Sequence, residues 1–190
     1  MKNILRPALV MFLILTLLTG IAYPLLVTGA AQLLFPAQAG GSLILRDGKP
    51  IGSSLIGQNF SDPKHFWSRP SATGPMANNA AASGGSNLGP LNPALTDAVK
   101  GRIEALRVAD PGNTAPVPVD LVTASASGLD PHISPAAAFY QVPRVARVRG
   151  LPIENLQTLV QQQVEEPLWG FFGEPQVNVL RLNLALDAVR

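Results

Sequence analysis

Residues 7–26 read PALVMFLILTLLTGIAYPLL, within a stretch that carries no charged residue between Arg6 and Arg46. At the rise of an α-helix, twenty residues extend about 30 Å, which matches the hydrocarbon thickness of a bilayer. Pro7 suits the first turn of a helix because the N–H that it lacks would have no partner there. The pattern predicts a transmembrane helix over residues 7–27, which Pro24 should kink or end.

The charges that flank this run predict its orientation. Lys2 and Arg6 precede it, whereas the next cation after it is Arg46. Lys and Arg are enriched in cytoplasmic segments next to membrane helices. We therefore expect residues 1–6 in the cytoplasm, a single pass through the membrane, and an extracytoplasmic (periplasmic) domain over residues 28–190.

A cleaved signal peptide is the alternative interpretation of the same segment. Small residues that could precede a cleavage site occur at Gly20 and Ala22 and again at Ala37 and Ala39. The apolar run is longer than the ~7 to 15 residues of a signal-peptide core, which favours a retained anchor. Both interpretations export the domain.

Composition limits the partners and the chemistry of the remaining chain. Of the 14 Lys and Arg, two are Lys2 and Arg6, so the other 12 equal the 12 Asp and Glu of the chain. This balance gives no indication of nucleic-acid binding. The absence of cysteine excludes disulfides, thiolate metal ligands and a cysteine nucleophile.

The pattern after the anchor predicts an α+β domain with long loops rich in Gly, Pro and Asn. A hairpin is expected from residues 43–45 and 51–56 around Asp47-Gly48, a pair that favours positive φ. A strand is expected over residues 177–182, which are rich in Val and Leu. Three helices are expected: one opened by Asn92-Pro93, one from Ser134-Pro135 to Gly150, and one over residues 153–164.

Residues 69–93 are predicted to form a long loop because they are mostly Ala, Ser, Gly, Asn and Pro. Within them, residues 84–89 read GGSNLG, which resembles a phosphate-binding loop but lacks the Gly-Lys-Ser/Thr that should follow. A surface loop is the simpler interpretation. We expect it to become ordered by contact with another protein, since it has few large apolar residues to bury.

Four residues resemble the parts of a hydrolytic triad: Ser125, Ser127, Asp130 and His132. They lack a Gly-x-Ser-x-Gly nucleophile turn, and Ser-Gly, Asp-Pro and Ser-Pro pairs are typical of turns and helix caps. His65 and His132 are the only histidines, and no carboxylate pair stands beside them at metal-ligand spacing. We predict no catalytic site and no metal site.

Arg144 and Arg147 are separated by one helical turn, with Arg149 nearby. This spacing predicts a basic patch on one helix, available to an acidic partner, a lipid headgroup or an anion. Most such clusters are simply solvated surfaces.

Several segments, in this order and spacing, carry a resemblance to a known family. They read IGQNF (56–60), RPSA (69–72), ASGGSNL (82–88), VTASASGLD (122–130), QVPRVA (141–146) and NLALD (183–187). Together with the N-terminal anchor, they resemble the C subunit of the bacterial Kdp potassium-transporting ATPase over nearly the whole chain.

The resemblance implies a subunit of a high-affinity potassium uptake pump in the inner membrane. The implied partners are a potassium-channel-like subunit, a P-type ATPase subunit and a small peptide subunit, besides membrane lipid. Such subunits are described as catalytic chaperones that raise the ATP affinity of the ATP-hydrolysing subunit. No tightly bound cofactor is implied, and a glutamine, matched here by Gln141, is the implied ATP contact.

Two functions stay open at this point. In one, the chain is a structural and regulatory subunit that docks through its helix and outer domain. In the other, it contributes to ATP binding, although an exported domain would lie across the bilayer from cytosolic ATP. We expect six residues of the loop and the basic helix to face a partner: Arg69, Gly84, Gly85, Asn87, Arg144 and Arg147.

Overall fold

The computed structural model describes residues 2–189, with side chains from residue 4 onward. Met1, the first residue of the predicted cytoplasmic segment, and Arg190, the last residue of the predicted periplasmic domain, lie outside the described residues. The chain divides into two compact units, one up to Leu43 and one from Ile44 onward.

The first unit is built around one long apolar helix. Helix α1 covers Lys2–Leu17, a π-helical turn covers Leu18–Ala22, and α2 covers Tyr23–Leu34. The 31 residues of Ile4–Leu34 are long and apolar enough to cross a membrane. A short helix, α3, follows over Pro36–Ala39.

The helix starts and ends at other residues than the sequence predicted. It begins at Lys2, so Pro7 lies inside α1, and it does not end at Pro24. Pro24 has no N–H for the carbonyl four residues earlier, and its ring would crowd that carbonyl. The π-helical turn directly before α2 widens the helix there, which accommodates the proline without ending the helix.

The predicted hairpin is present, but its second strand begins and ends earlier than the predicted residues 51–56. Strand β1 covers Leu43–Arg46, and β2 covers Lys49–Ser53. Asp47 and Gly48 have φ values of 51° and 73°, which are the positive values that a two-residue hairpin turn needs. Among the described residues 54–92 there is no further helix or strand, in agreement with the predicted long loop.

Three helices begin and end close to the residues that the sequence predicted. Helix α4 covers Pro93–Ala109, α5 covers Pro135–Arg149, and α6 covers Ile153–Gln162. The Asn92 and Ser134 side chains accept backbone N–H groups at the starts of α4 and α5. Such caps satisfy amides that have no partner within the helix. A 3₁₀ turn covers Val119–Leu121.

The strand predicted over residues 177–182 is wrong beyond its first two residues. Strand β5 covers only Gln176–Asn178, and helix α7 follows over Val179–Ala188. The Asn178 side chain accepts the N–H of Arg181 at 3.1 Å, so it caps this helix. A three-stranded antiparallel sheet has the order β3-β5-β4, in which β3 covers His132–Ile133 and β4 covers Val164–Glu165.

One apolar core joins these elements in the second unit. Helix α5 packs against α6 and β5, and α7 packs against α6. The core members with no exposed surface are Phe66, Ala137, Ala138, Val145, Leu156, Val160, Val177, Leu182 and Leu186. The predicted architecture is confirmed: one apolar helix followed by a mixed α+β domain with long irregular segments.

Candidate functional site

Two side-chain amides hold an extended segment against the helices. Asn183 of α7 accepts the N–H of Phe66 at 2.8 Å and donates to the Phe66 carbonyl at 2.9 Å. Gln141 of α5 accepts the N–H of Trp67 at 2.7 Å and donates to the Trp67 carbonyl at 3.1 Å. Each amide therefore bonds a residue as a neighbouring strand would, and we call this pair the amide clamp.

Arg144 lies beneath the clamped segment, although the sequence placed it on the surface. Only 2% of Arg144 is exposed. Its guanidinium donates to the Pro63 carbonyl, to the His65 carbonyl at 3.0 Å and to Oε1 of Gln141 at 2.7 Å. It also lies 4.6 Å from the Trp67 ring centroid. Burial lowers the pKa of Arg144 to about 10, which still leaves it charged at neutral pH.

Gln141 has no hydrogen-bonding group left for a ligand in this conformation. An amide side chain accepts two hydrogen bonds and donates two. Its Oε1 accepts from Trp67 and Arg144, and its Nε2 donates to Trp67 and to the Ala137 carbonyl at 3.2 Å. The residue is 1% exposed. The implied contact with ATP stays a prediction, and a nucleotide would first have to displace these bonds.

The basic patch predicted on α5 does not form as expected, because the Arg144 side chain is buried whereas the Arg147 side chain is exposed. The Arg147 side chain is 52% exposed, and its Nη1 donates to Oδ1 of Asp110 at 2.6 Å. Arg149 instead donates to the Lys64 carbonyl and pairs with Asp187 at 2.6 Å. All three arginines bind groups of this chain, and partner contact stays a prediction for Arg147.

The loop that was predicted to face a partner also makes contacts within the chain. Arg69 pairs with Asp130 at 3.0 Å. The Gly84 N–H donates to the Ser127 carbonyl at 2.9 Å. A Cβ on Gly85 would lie 2.9 Å from the Ala126 carbonyl oxygen, so the two backbones touch there. Residues 125–130 of the same chain therefore support the loop, and contact of Arg69, Gly84 and Gly85 with a partner stays a prediction.

Asn87 differs from the other loop residues in the predicted partner-facing set. It is exposed and has a φ of 51°. Asn tolerates this conformation better than most residues with a side chain, which explains an asparagine at this position. Contact between Asn87 and a partner stays a prediction.

The four triad-like residues serve the turn that supports this loop. The Ser125 hydroxyl accepts the N–H of Gly128 at 2.9 Å, and the Ser127 hydroxyl accepts the N–H of Leu129 at 3.1 Å. Asp130 accepts the N–H of His132 at 3.0 Å. These are the local bonds typical of Ser and Asp in turns, as predicted.

Asp130 is the centre of charge in this region. Burial raises the pKa of Asp130, but hydrogen bonds from His132 and the charge of Arg69 outweigh it and hold that pKa below its ordinary value. His132 also lies 3.8 Å from a Glu165 carboxylate oxygen. A polar cleft of about 360 Å³ opens beside Arg69, Asp130 and His132. Within the part of the chain that the structure describes, no cluster of three or more His, Asp or Glu is placed to hold a metal.

The comparison with known families decides the identity of this fold. The family KdpC, described as "K+-transporting ATPase, c chain", matches residues 5–188. This chain belongs to the KdpC family. The match includes the apolar helix, the amide clamp and the loop, so the resemblance found in the sequence is confirmed over almost the whole chain.

Curated KdpC subunits of potassium-transporting ATPases are similar to this chain from end to end. The subunit from Polaromonas naphthalenivorans is 79% identical over 100% of this chain and 97% of its own length. That from Variovorax paradoxus is 72% identical over 99% of this chain and 97% of its own length. That from Dechloromonas aromatica is 65% identical over 100% and 99%, respectively.

Sequence reasoning missed two features of this KdpC-family domain. The first is the role of Asn183, which was noted only within a family segment, although it is 2% exposed and bonds both backbone groups of Phe66. The second is the aromatic segment WGFF at residues 169–172, which was not singled out. The clustering of Trp and Phe beside glycine was the signal for the second feature, because large aromatic side chains are rarely left exposed together.

Proposed function

We propose that this chain is a non-catalytic subunit of a potassium-transporting ATPase, which it stabilises through its membrane helix and its folded outer domain. The observation that carries the proposal is the family match over residues 5–188, which joins an apolar span to a folded domain. Its partners in the inner membrane are a potassium-channel-like subunit, a P-type ATPase subunit and a small peptide subunit.

The orientation of the chain is part of this proposal. Lys2 and Arg6 lie in the first turns of the apolar helix, and no further charged residue follows until Arg46. This asymmetry supports a cytoplasmic N-terminus and a periplasmic domain, by the positive-inside rule. A periplasmic domain is separated by the bilayer from cytosolic ATP, so bracing of the channel-like partner is its better supported role.

A topology reporter tests the orientation. Alkaline phosphatase fused after Arg190 is expected to be active, because that enzyme matures only outside the cytoplasm, whereas green fluorescent protein at the same position is expected to stay dark. The matched control is the same fusion with the helix inverted by moving Lys2 and Arg6 to its other end. A bright fluorescent fusion of the natural chain would contradict the orientation and make ATP contact possible.

The second candidate function, contact with ATP through Gln141, is tested by a pair of variants in the assembled pump. Gln141→Ala and Asn183→Ala each open one half of the amide clamp. If both act only through the fold, they should change the KM for ATP of the pump to a similar extent. A rise in KM confined to Gln141→Ala, with equal thermal stability of the two variants, would instead support nucleotide contact.

A further inference from the structure

The hairpin of β4 and β5 extends into a hydrogen-bonded turn. Val164 pairs with Val177, and Glu165 pairs with Gln176. Beyond the strands, Leu168 and Phe172 exchange two backbone hydrogen bonds, each 3.0 Å long. Between them, Trp169 and Gly170 have φ values of 56° and 80°, which complete a tight turn. We call residues 168–172 the aromatic tip; its backbone bonds fix its shape.

The side chains of the aromatic tip form an exposed apolar cluster. The exposed fractions are 77% for Trp169, 67% for Phe171 and 55% for Phe172. The ring centroids of Phe171 and Phe172 are 4.2 Å apart, and those of Trp169 and Phe172 are 5.9 Å apart. Among the described residues 44–189, no other Trp, Phe or Tyr side chain is exposed to this extent.

An exposed cluster of this kind indicates a contact surface. Aromatic side chains bury 150–250 Å² each, as an order of magnitude, and contiguous exposed patches on soluble domains usually mark interaction sites. Trp is also among the residues that contribute most to binding at protein interfaces. Since the backbone of the tip is already ordered, binding would require little further loss of conformational entropy.

The charges around the aromatic tip distinguish between a lipid surface and a protein. Residues 150–180 contain four glutamates and no Lys or Arg. Glu166 and Glu174 flank the tip directly, and the nearest arginine along the chain, Arg181, is paired with Glu165 at 3.1 Å. Anionic lipid headgroups would repel these carboxylates, whereas segments that bind membranes electrostatically are rich in Lys and Arg. The acidic flanks therefore favour a protein surface that carries basic groups.

We propose that the aromatic tip docks into an apolar socket, bordered by Lys or Arg, on another protein subunit of the same pump. This inference rests on the proposed function and assigns a specific contact to it. Trp169 and Phe171 fill the socket, and Glu166 and Glu174 meet the basic border. The tip is a different surface from the loop and the basic helix, which the sequence predicts to face a partner.

Site-specific crosslinking in the assembled pump tests the contact. A photoreactive benzoylphenylalanine replaces Trp169 in the full chain, which is co-expressed with the other subunits, and intact membranes are irradiated before solubilisation. The expected product is a covalent adduct with one pump subunit, identified by mass spectrometry. The control is the same substitution at Val108, which is 69% exposed on α4. Adducts with lipid alone, or protein adducts no more abundant than at Val108, would overturn the proposal.

Paired substitutions provide a second, independent measurement. Trp169→Ser with Phe171→Ser is expected to lower recovery of the purified complex at least about tenfold, since loss of aromatic interface anchors costs that much or more. The thermal transition of the chain alone should not fall, because both side chains are exposed. Val108→Ser with Val119→Ser, at positions that are each 69% exposed, is the matched control. Normal recovery of the first pair would contradict docking.

Charge reversal tests the basic border of the socket. Glu166→Lys with Glu174→Lys is expected to lower recovery of the complex, whereas Glu154→Lys, at an exposed position in α6, should not. Unchanged or improved recovery with the first pair would contradict a basic border. Failure of the wild-type chain to co-purify with any pump subunit would contradict the proposed function itself. If the wild-type complex forms and the variants of the aromatic tip assemble as well as it does, only the docking site is contradicted.

Discussion

Nη1 of Arg147 lies 2.6 Å from Oδ1 of Asp110, and it joins a half-exposed cation to a carboxylate that is 5% exposed. The other carboxylate oxygen, Oδ2, makes no hydrogen bond within the described residues. Asp110 also ends α4 and donates its N–H to the Leu106 carbonyl. The ion pair therefore fixes the end of α4 to α5.

Loss of Arg147 should destabilise the domain through Asp110. Arg147→Met leaves a buried carboxylate without its cation, so we expect the free energy of unfolding to fall by about 2 kcal/mol. Adding Asp110→Asn removes the buried charge and should recover part of the loss. Urea unfolding of the full chain in detergent measures both. The pair is not coupled if the two losses simply add.

If Gln141 serves the amide clamp, its substitution should lower the stability of the free chain, which a residue that only binds a ligand would not do. Gln141→Leu is nearly isosteric but leaves the backbone groups of Trp67 without partners, so we expect a loss of about 3 kcal/mol of unfolding free energy. Gln157→Leu, at an exposed position in α6, is the matched control and should change stability by less than about 0.5 kcal/mol. Equal stability of the two variants, measured by thermal unfolding, would show that the clamp is dispensable.

Substitutions at the adjacent glycines Gly84 and Gly85 distinguish a role in folding from a role in partner contact. Gly85→Ala places a Cβ 2.9 Å from the Ala126 carbonyl oxygen, so we expect destabilisation by about 1 to 3 kcal/mol. At Gly84, a Cβ would meet nothing within 4 Å, so Gly84→Ala should be neutral to within about 0.5 kcal/mol. Thermal unfolding of both variants measures these changes in stability. A stable Gly85→Ala chain that no longer assembles would support contact of Gly85 with a partner.

The lowered pKa of Asp130 predicts a defined pH dependence. A carboxyl whose folded-state pKa lies below its unfolded value of about 3.9 stabilises the fold fully above about pH 5. That stabilisation is lost as the pH falls through the folded-state pKa. Asp130→Asn should therefore be less stable than the natural chain at pH 7, with a difference that shrinks towards pH 3. Asp97→Asn, at an exposed position in α4, is the control, and a difference independent of pH would refute the role of the charge.

The anchor is tested by a charge at its middle. Leu15→Arg costs about 2.5 to 3.5 kcal/mol on insertion scales, so we expect the variant to be lost from the membrane fraction. Leu91→Arg, in the loop at a position that is 96% exposed, should fractionate normally. Immunoblots of membrane and soluble fractions provide the measurement. Full retention of Leu15→Arg with normal potassium uptake would show that this helix is not the anchor.

Local chemistry made the helix starts predictable. Asn92-Pro93 and Ser134-Pro135 place a capping side chain directly before a residue that suits the first turn, and both helices begin there. Asn178 carries out the same capping, but Val177 and Val179 on either side favour a strand. The helical spacing of Val179, Leu182 and Leu186 indicated a helix instead, and all three residues are buried on one face of α7.

The burial of Arg144 was less accessible to sequence reasoning. It shares a helix face with Gln141 and Val145, both buried, but its charge argued for the surface. Its burial is possible because backbone carbonyls of residues 63–65, about 80 positions away in the chain, accept hydrogen bonds from the guanidinium. No local pattern states where such acceptors will come from, so a buried arginine becomes recognisable only once the fold is known.

The unbroken helix over Ile4–Leu34 has a consequence for how the chain sits in a bilayer. Its 31 residues rise about 46 Å, which exceeds a hydrocarbon thickness of about 30 Å. Even a tilt of 40°, near the limit seen for membrane helices, shortens that span only to about 35 Å. Leu33 and Leu34 are 84% and 71% exposed at the far end of the helix. Arg6 belongs at the polar surface at one end of this span, so in a spanning orientation the excess length places the last helical turn, with Gln32, Leu33 and Leu34, in the opposite interfacial region or against the flank of a neighbouring helix.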